Sequence, residues 1–249
     1  MYIDTHAHIY MLENPENAIK EAREADVEEI IIPTASEKDF EVVLELCHKF
    51  DKVYMALGVH PEDCEKFTDK TAQKMIELAK DEKVVAIGEI GLDYHYSKEN
   101  KNLQKHCFIN QLQIAKMLDL PVIIHDREAH GDTFDILSAE KPKKTLLHCY
   151  SGSVEFMKRC CSLGYKIALG GVVTFKNALE TKEVAKEIKL EDLMLETDCP
   201  YLAPHPFRGQ ENSPKYIGFI AKEIANLKNL PLDTIANQTS KNAREFFNL

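Results

Sequence analysis

Eight short apolar runs recur along the 249-residue chain, and this alternation limits the possible fold more than any other feature of the sequence. The runs are Met1–Thr5, Glu29–Pro33, Val53–Gly58, Val84–Ile90, Pro121–His125, Thr145–Cys149, Tyr165–Gly170 and Leu193–Glu196. They are rich in leucine or β-branched residues on both parities, as expected for strands that are buried on both faces. Their spacing of roughly 30 residues is the length of one strand with the helix that follows it.

Helical patterns occupy several of the intervals between these runs. Pro15–Ala25 follows Asn14, and Ser36–Phe50 begins with a serine, both of which are favourable N-caps. Three further helices are predicted at Asn100–Leu118, Pro214–Leu227 and Leu232–Phe247. Because strands alternate with helices and no linker interrupts them, we expect a single-domain (β/α)8 TIM barrel over residues 1–249, with an extra C-terminal helix.

Six side chains of the types that bind metal ions stand at the carboxyl ends of these runs. They are His6, His8, Glu89, His125, His148 and Asp198. A parallel barrel carries its active site at this end of its strands, so we expect the six to converge. Four imidazoles and two carboxylates are typical of mixed nitrogen and oxygen ligation of one or two divalent ions, such as Mg, Mn or Zn.

Each of these residues also has a purely structural interpretation. The alternating His6 and His8 point the same way in an extended segment, but histidine pairs on strands are often simply polar pairs. Glu89 is alternatively half of an internal salt bridge, although few basic residues lie near the strands. Asp198, two residues before Pro200, is either a turn residue or the general base that takes a proton from an attacking water.

The net charge of −10 restricts the kind of substrate that the protein can hold. Proteins that grip long duplex DNA usually present a basic face. A polyanionic substrate must therefore be held locally, by metal ions and a few basic groups. This favours the end of a strand, a short strand or a small molecule.

The sequence also predicts the cellular setting. No apolar run is long enough to span a bilayer, and the first strand begins at Tyr2, which leaves no room for a signal peptide. We therefore expect a cytoplasmic protein with no membrane association, and nothing in the sequence implies a protein partner. Seven cysteines without a CxxC pair are expected to be reduced, mostly buried thiols.

Five motifs resemble those of the TatD-type metal-dependent deoxyribonucleases of the amidohydrolase superfamily. In chain order they are DTHAH from residue 4, GEIGLDYH from residue 88, HDR from residue 125, HCYSGS from residue 148 and ETDCPYLAPHPFRG from residue 196. The resemblance implies a (β/α)8 barrel, a divalent-metal site and hydrolysis of DNA phosphodiester bonds, often from the 3′ end.

The resemblance also implies roles for individual residues. It makes His6 and His8 the ligands of the first strand, Glu89 a carboxylate that bridges two ions, His125 and His148 the middle ligands, and Asp198 the last ligand and the base. For substrate binding it points to His60, Asp93 and Arg208. The alternatives are a packed loop histidine at His60 and an exposed arginine at Arg208. Family members commonly carry basic residues after this arginine and glycine, whereas this chain has Gln210 and Glu211.

Three functional hypotheses follow. The first is a metal-dependent deoxyribonuclease, 3′–5′ exonuclease-like, that acts on single strands or 3′ ends of DNA. The second is a carbonyl hydrolase of the same fold, such as an amidase, lactonase or aminoacyl ester deacylase, which the acidic surface favours. The third is a binding protein without turnover, and the presence of all six ligands argues against it.

Overall fold

A computed structural model describes residues 1–96 and 98–249, and its strands form one eight-stranded sheet in the order β1 to β8. The strands are β1 (Tyr2–Asp4), β2 (Val27–Pro33), β3 (Val53–Leu57), β4 (Val84–Asp93), β5 (Val122–Arg127), β6 (Thr145–Leu147), β7 (Lys166–Leu169) and β8 (Leu193–Leu195). Pairing is parallel between β1 and β2, along the series β3 to β6, and between β7 and β8. All eight predicted strands are therefore present, with bounds that differ by a few residues.

The described residues contain nine α-helices. They are α1 (Pro15–Glu24), α2 (Phe40–Lys49), α3 (Asp69–Leu78), α4 (Lys101–Leu118), α5 (His130–Glu140), α6 (Val154–Ser162), α7 (Leu179–Glu187), α8 (Ile217–Lys228) and α9 (Leu232–Phe247). The five predicted helices correspond to α1, α2, α4, α8 and α9. The other four were given no bounds from the sequence.

Local hydrogen bonds explain where two of the predicted helices begin. The Asn14 side chain accepts a hydrogen bond of 3.0 Å from the backbone N–H of Asn17, which caps α1 as predicted. The Ser36 N–H donates to the carboxylate of Asp39 at 3.0 Å, in a reciprocal capping arrangement. This arrangement closes a 3₁₀ turn over residues 37–39, so α2 begins at Phe40 and not at the predicted Ser36.

Contacts divide the chain into two compact units, Met1–Ile32 with His148–Leu249, and Pro33–Leu147. In the first unit the Thr5 N–H donates to the Leu195 carbonyl at 3.1 Å, which joins the end of β1 to β8. Helix α9 packs against both strands. The buried Asn242 of α9 donates to the carbonyls of Leu190 and Leu193 at 2.6 and 2.7 Å, and so fixes the segment that leads into β8.

The second unit, Pro33–Leu147, is built around β4, whose ten residues are all buried. Burial on both parities is what the apolar run predicted. Two buried glutamines of α4 connect this helix to the loop after β3 and to the end of β4. The Gln111 side chain hydrogen-bonds the N–H and the carbonyl of Val59 at 2.8 and 3.0 Å. The Gln104 side chain pairs in the same way with the backbone of Asp93, at 2.9 Å for both bonds.

Two of the general predictions are tested by the fold. Among the described helices, none has the length and apolar character needed to cross a bilayer. All seven cysteines are free thiols, and five of them are buried, with Cys149 and Cys161 partly exposed. This agrees with the expected reduced state.

Candidate metal centre

The first unit holds a buried cluster of His6, His8 and Asp198. The two histidines follow β1 directly, and their Nε2 atoms lie 3.2 Å apart. Each Nε2 lies 3.8 Å from Oδ1 of Asp198, which follows β8. Both imidazoles thus face Oδ1 of Asp198, and their role as ligands stays a prediction.

Backbone hydrogen bonds hold the two segments of this cluster together. The Asp198 N–H donates to the His6 carbonyl at 2.9 Å, and the His8 N–H donates to the Cys199 carbonyl at 2.8 Å. Asp198 has a φ of 56°, a left-handed conformation that aspartate tolerates better than most residues. The carboxylate is therefore placed by a fixed backbone and not by a flexible side chain alone.

Asp4, the first residue of the DTHAH motif, connects the same two segments. Its Oδ1 accepts hydrogen bonds from the N–H of Thr197 at 3.0 Å and of His6 at 3.3 Å, and its Oδ2 accepts one from the Thr197 hydroxyl at 2.5 Å. Burial raises the pKa of the Asp4 carboxyl to about 8, against the opposing effect of these hydrogen bonds. Asp4 is thus a positioning residue beneath His6.

His148 stacks on the imidazole of His6, with ring centroids 3.8 Å apart and planes 8° from parallel. Its Nδ1 lies 3.7 Å from Oε1 of Glu196, a fully buried carboxylate. The same oxygen accepts a hydrogen bond of 2.5 Å from the N–H of Cys149, whose φ is 44°. Glu196 therefore holds the backbone that carries His148 and places a carboxylate beside its ring, a position that the sequence did not predict.

The segment after β8 forms a loop that closes on Asn212. The Asn212 N–H donates to the Pro200 carbonyl at 3.0 Å, and its side chain donates to the carbonyls of Thr197 and Tyr201 at 2.7 and 2.6 Å. The Tyr201 ring, 53% exposed, meets the His8 ring edge-on with centroids 6.3 Å apart. Because these hydrogen bonds fix the base of the loop, its exposed middle lies beside the cluster without displacing Asp198.

The second unit holds another cluster, formed by His60, Glu89 and His125. Oε1 of Glu89 lies 2.8 Å from Nδ1 of His125 and 3.7 Å from Nε2 of His60. Glu89 is buried in β4, and the Glu89 N–H donates to the Thr34 carbonyl at 3.2 Å. The structure thus gives His60 a position beside two predicted ligands, whereas the sequence suggested contact with substrate.

Asp93 lies under this cluster. Its Oδ2 is 3.0 Å from Nε2 of His125, and its Oδ1 accepts hydrogen bonds from the N–H groups of His95 and Tyr96 at 2.8 and 3.0 Å. Burial raises the pKa of Asp93, but the hydrogen bonds from His125 and from the backbone outweigh this and lower the pKa to about 2. The geometry favours orientation of His125 as its role, and substrate binding by Asp93 stays a prediction.

Gly91 explains why GEIG carries a second glycine. Gly91 pairs with His125 in the sheet and has a φ of 145°, which side chains rarely adopt. A Cβ at Gly91 would also collide with the backbone of His125. The close approach of β4 and β5 at the predicted ligand therefore requires glycine.

Two arginines make contacts with aromatic rings: Arg127, the last residue of β5, and Arg208, in the loop after β8. The Arg208 guanidinium sits 4.3 Å from the ring centroid of Phe175, and that of Arg127 sits 4.7 Å from the centroid of Tyr96. Both arrangements are cation–π contacts. Phosphate binding by Arg208 stays a prediction.

Each cluster fits a divalent ion by itself. Within each group of three residues, the ligand atoms all lie within 4.8 Å of one another. Two atoms that bind one zinc ion at about 2.1 Å each are separated by at most about 4.2 Å, and the closest pairs meet this limit. Two imidazole nitrogens that face each other beside a carboxylate are also a donor set that first-row divalent ions prefer.

Comparison with known proteins identifies the family. The protein-family model described as TatD related DNase matches residues 3–248, which is nearly the whole chain. The chain belongs to the TatD family. It is 41% identical over 254 residues to the uncharacterized metal-dependent hydrolase YabD of Bacillus subtilis (strain 168), with 100% of each chain covered. It is 34% identical to YcfH of Escherichia coli (strain K12), which bears the same description, over 99% of this chain and 96% of YcfH.

Solved structures of the TatD family show the same fold. The crystal structure of YjjV, a TatD homologue from Escherichia coli K12, superposes with a TM-score of 0.94 at 34% identity, over 100% of this chain and 98% of that chain. The prediction of a (β/α)8 barrel is therefore confirmed. The family and the named relatives make the protein an enzyme of the metal-dependent hydrolase class.

Proposed function

We propose that this TatD-family enzyme is a deoxyribonuclease that removes nucleotides from the 3′ end of single-stranded DNA with the help of divalent ions. The observation that carries the proposal is the pair of histidine–carboxylate clusters, each compact enough for one ion. The family description as a TatD related DNase supports DNA as the substrate. Mg, Mn and Zn are the candidate ions.

The roles of the first cluster follow from its geometry. His6 and His8 would hold an ion through their facing Nε2 atoms, with Asp198 as the third ligand. His148, stacked on His6 and 3.7 Å from the Glu196 carboxylate, is a further ligand in this proposal. A divalent ion bound here would acidify a water and withdraw charge from a phosphate oxygen.

Exposure supports Asp198 as the general base. Its side chain is 13% exposed, whereas those of His6 and His8 are 0% and 6% exposed. Solvent therefore reaches the carboxylate more readily than either imidazole. A carboxylate in this position is able to accept the proton of an attacking water while the histidines hold their places.

In the second cluster, Glu89 and His125 would be ligands, and His60 would complete the set or contact the phosphate. Asp93 would keep the His125 ring oriented through its bond to Nε2. His125→Ala should lower metal content and activity together. Undiminished metal occupancy would remove His125 from the set of ligands.

The test of the proposed function is hydrolysis of a 3′-labelled single-stranded oligonucleotide by metal-stripped protein reloaded with Mg, Mn or Zn. Release of labelled mononucleotides that is lost in Asp198→Asn is the expected result. Asp135→Asn, which removes an exposed carboxylate of α5, is the matched control and should retain activity. A 5′-labelled strand that shortens in single-nucleotide steps would establish the 3′ to 5′ direction.

One observation favours a second candidate, a carbonyl hydrolase of the same fold. Gln210 and Glu211 stand where a phosphate-binding loop would carry positive charge, in a chain whose net charge is −10. Hydrolysis of esters, lactones or amides under the same reloading conditions, with no release of nucleotides, would replace the deoxyribonuclease proposal.

A further inference from the structure

A groove of about 270 Å³ opens beside the loop that follows β8. Four residues of chemical interest line it, and they come from three separate segments. They are Lys176, His205, Phe219 and Lys222. Thr174, Glu223 and Asn226 complete the lining.

The groove is positively charged in a chain that is strongly negative. Lys176 and Lys222 are exposed, and neither forms an ion pair with any other residue that the structure describes. The one acidic residue of the lining, Glu223, is paired with Lys182 at 3.4 Å. The two lysines therefore present uncompensated charge to whatever enters the groove.

An exposed aromatic ring lies next to this charge. The Phe219 side chain is 41% exposed. Its ring meets that of Phe207 edge-on with centroids 5.1 Å apart, and Phe207 stacks on Tyr216 at 4.1 Å. This backing holds the Phe219 ring in place while part of its surface faces solvent.

The groove lies at the same end of the strands as Asp198. Thr174 ends the 3₁₀ turn over residues 171–174 that follows β7, and Asp198 follows the parallel neighbour β8. The Thr174 hydroxyl accepts a hydrogen bond of 2.8 Å from the N–H of His205, which joins the turn to the loop. His205 is seven residues from Asp198 along the chain, so the two are at most about 25 Å apart.

We propose that this groove binds the single-stranded part of a nucleic-acid substrate, with Lys176 and Lys222 at its phosphates and Phe219 stacked on a base. Sites for single strands typically combine a positive groove with aromatic rings on which bases stack. The inference rests on the proposed function, since the strand would run from the groove to the first cluster. The two lysines would supply positive charge next to the loop after β8, in which Gln210 and Glu211 stand.

The test is equilibrium binding of a fluorescein-labelled thymidine ten-mer with phosphorothioate links, which keep the charge and resist hydrolysis. Anisotropy is measured on metal-loaded protein between about 50 and 200 mM salt. Each phosphate contact on a single strand contributes about 0.7 to the slope of log affinity against log salt, so Lys176→Gln with Lys222→Gln should flatten the slope by about 1.4.

Two further variants sharpen the result. Lys20→Gln with Lys189→Gln removes the same charge from exposed positions of the same unit, in α1 and in the segment that precedes β8. This control should keep the wild-type slope to within about 0.3. Phe219→Leu keeps an apolar side chain but removes the ring, and it should weaken binding roughly tenfold at fixed salt while the slope stays the same.

The outcomes separate this inference from the proposed function. The proposal that the groove binds the strand would be overturned if the wild-type protein did not bind it, or if the double lysine variant kept the wild-type slope. Binding that depends on both lysines would support the groove, whether or not the unmodified strand is hydrolysed. Failure of hydrolysis with intact binding would overturn the nuclease proposal alone.

Discussion

Replacement of Thr197 by valine tests whether the Asp4–Thr197 contact holds the first cluster together. Thr197 is fully buried, and its hydroxyl donates to Oδ2 of Asp4 at 2.5 Å. Within the described part of the chain, this oxygen has no other hydrogen-bond partner. Valine keeps the shape of threonine. It removes this hydrogen bond to a buried carboxyl group, worth about 2–3 kcal/mol, together with a longer one, of 3.4 Å, that the hydroxyl accepts from the Cys199 N–H.

Thr197→Ser is the matched control, because it keeps the hydroxyl and removes only a buried methyl group at a cost of about 1 kcal/mol. Urea unfolding of the metal-free protein gives both free energies. We expect the valine variant to unfold roughly 4–12 °C lower than the wild type in a thermal scan, and the serine variant to change about half as much or less.

The same pair of variants should differ in metal binding. Asp4 also accepts the N–H of His6, and Thr197 precedes Asp198, so loss of the contact loosens two ligands together. Partners of metal ligands usually contribute about 10- to 100-fold in affinity, and we expect a loss in this range for valine only. A valine variant that is as stable and binds metal as well as the serine variant would refute this account.

Three further predictions follow from contacts outside that pair. Gly91→Ala should reduce metal content, because φ is 145° and the new Cβ meets the backbone of His125; metal analysis of the purified variant decides this, and full occupancy would contradict it. Burial raises the pKa of the Cys161 thiol to about 12, so its alkylation by iodoacetamide should rise about tenfold for each pH unit from 8 to 11; a plateau near pH 9, seen by mass spectrometry, would show a normal pKa. Arg244→Ala should lower the free energy of unfolding in denaturant by about 2 kcal/mol, because the buried Glu29 carboxylate loses its arginine partner; the 37% exposure of the arginine keeps the cost below that of a fully buried pair. Arg244→Lys should retain part of this stability. Equal losses in the two variants would mean that the charge at this position is unimportant.

The strands and the predicted ligands could be located from sequence because each has a local signal. A run of buried strand residues is apolar on both parities, and a histidine or carboxylate directly after such a run is conspicuous. The predictions for His6, His125 and Asp198 were made in this way. The parallel fold then determines that these ends share one side, so no distant pairing had to be guessed.

Two of the helices that were missed, α5 and α7, lack such a signal. Helix α7 has the sequence LETKEVAKE and buries only Val184 and Ala185, so its apolar stripe is two residues wide. Helix α5 buries only three of its eleven residues. Short helices of this kind owe their stability to packing against the strands more than to their own pattern of residues.

Residues that position the ligands were missed for a different reason. Asp4 acts through Thr197, which lies 193 residues away, and Glu196 acts through Cys149, which lies 47 residues away. Nothing in the neighbouring sequence indicates such pairs, because they exist only once the strands have been brought together. The position of His60, 3.7 Å from Glu89, was not predicted either, because it depends on the register of β3 and β4.

The closure of the β8 loop by Asn212 has a consequence for how this enzyme diversifies. Three hydrogen bonds from Asn212 close the loop at its base, so we expect the segment between Pro200 and Asn212 to tolerate replacement as a unit. Insertions or swaps within it leave Asp198 where it is. Replacing this segment with the corresponding segment of a relative should therefore transfer the substrate preference of that relative, while the metal preference of the protein that receives the segment stays unchanged.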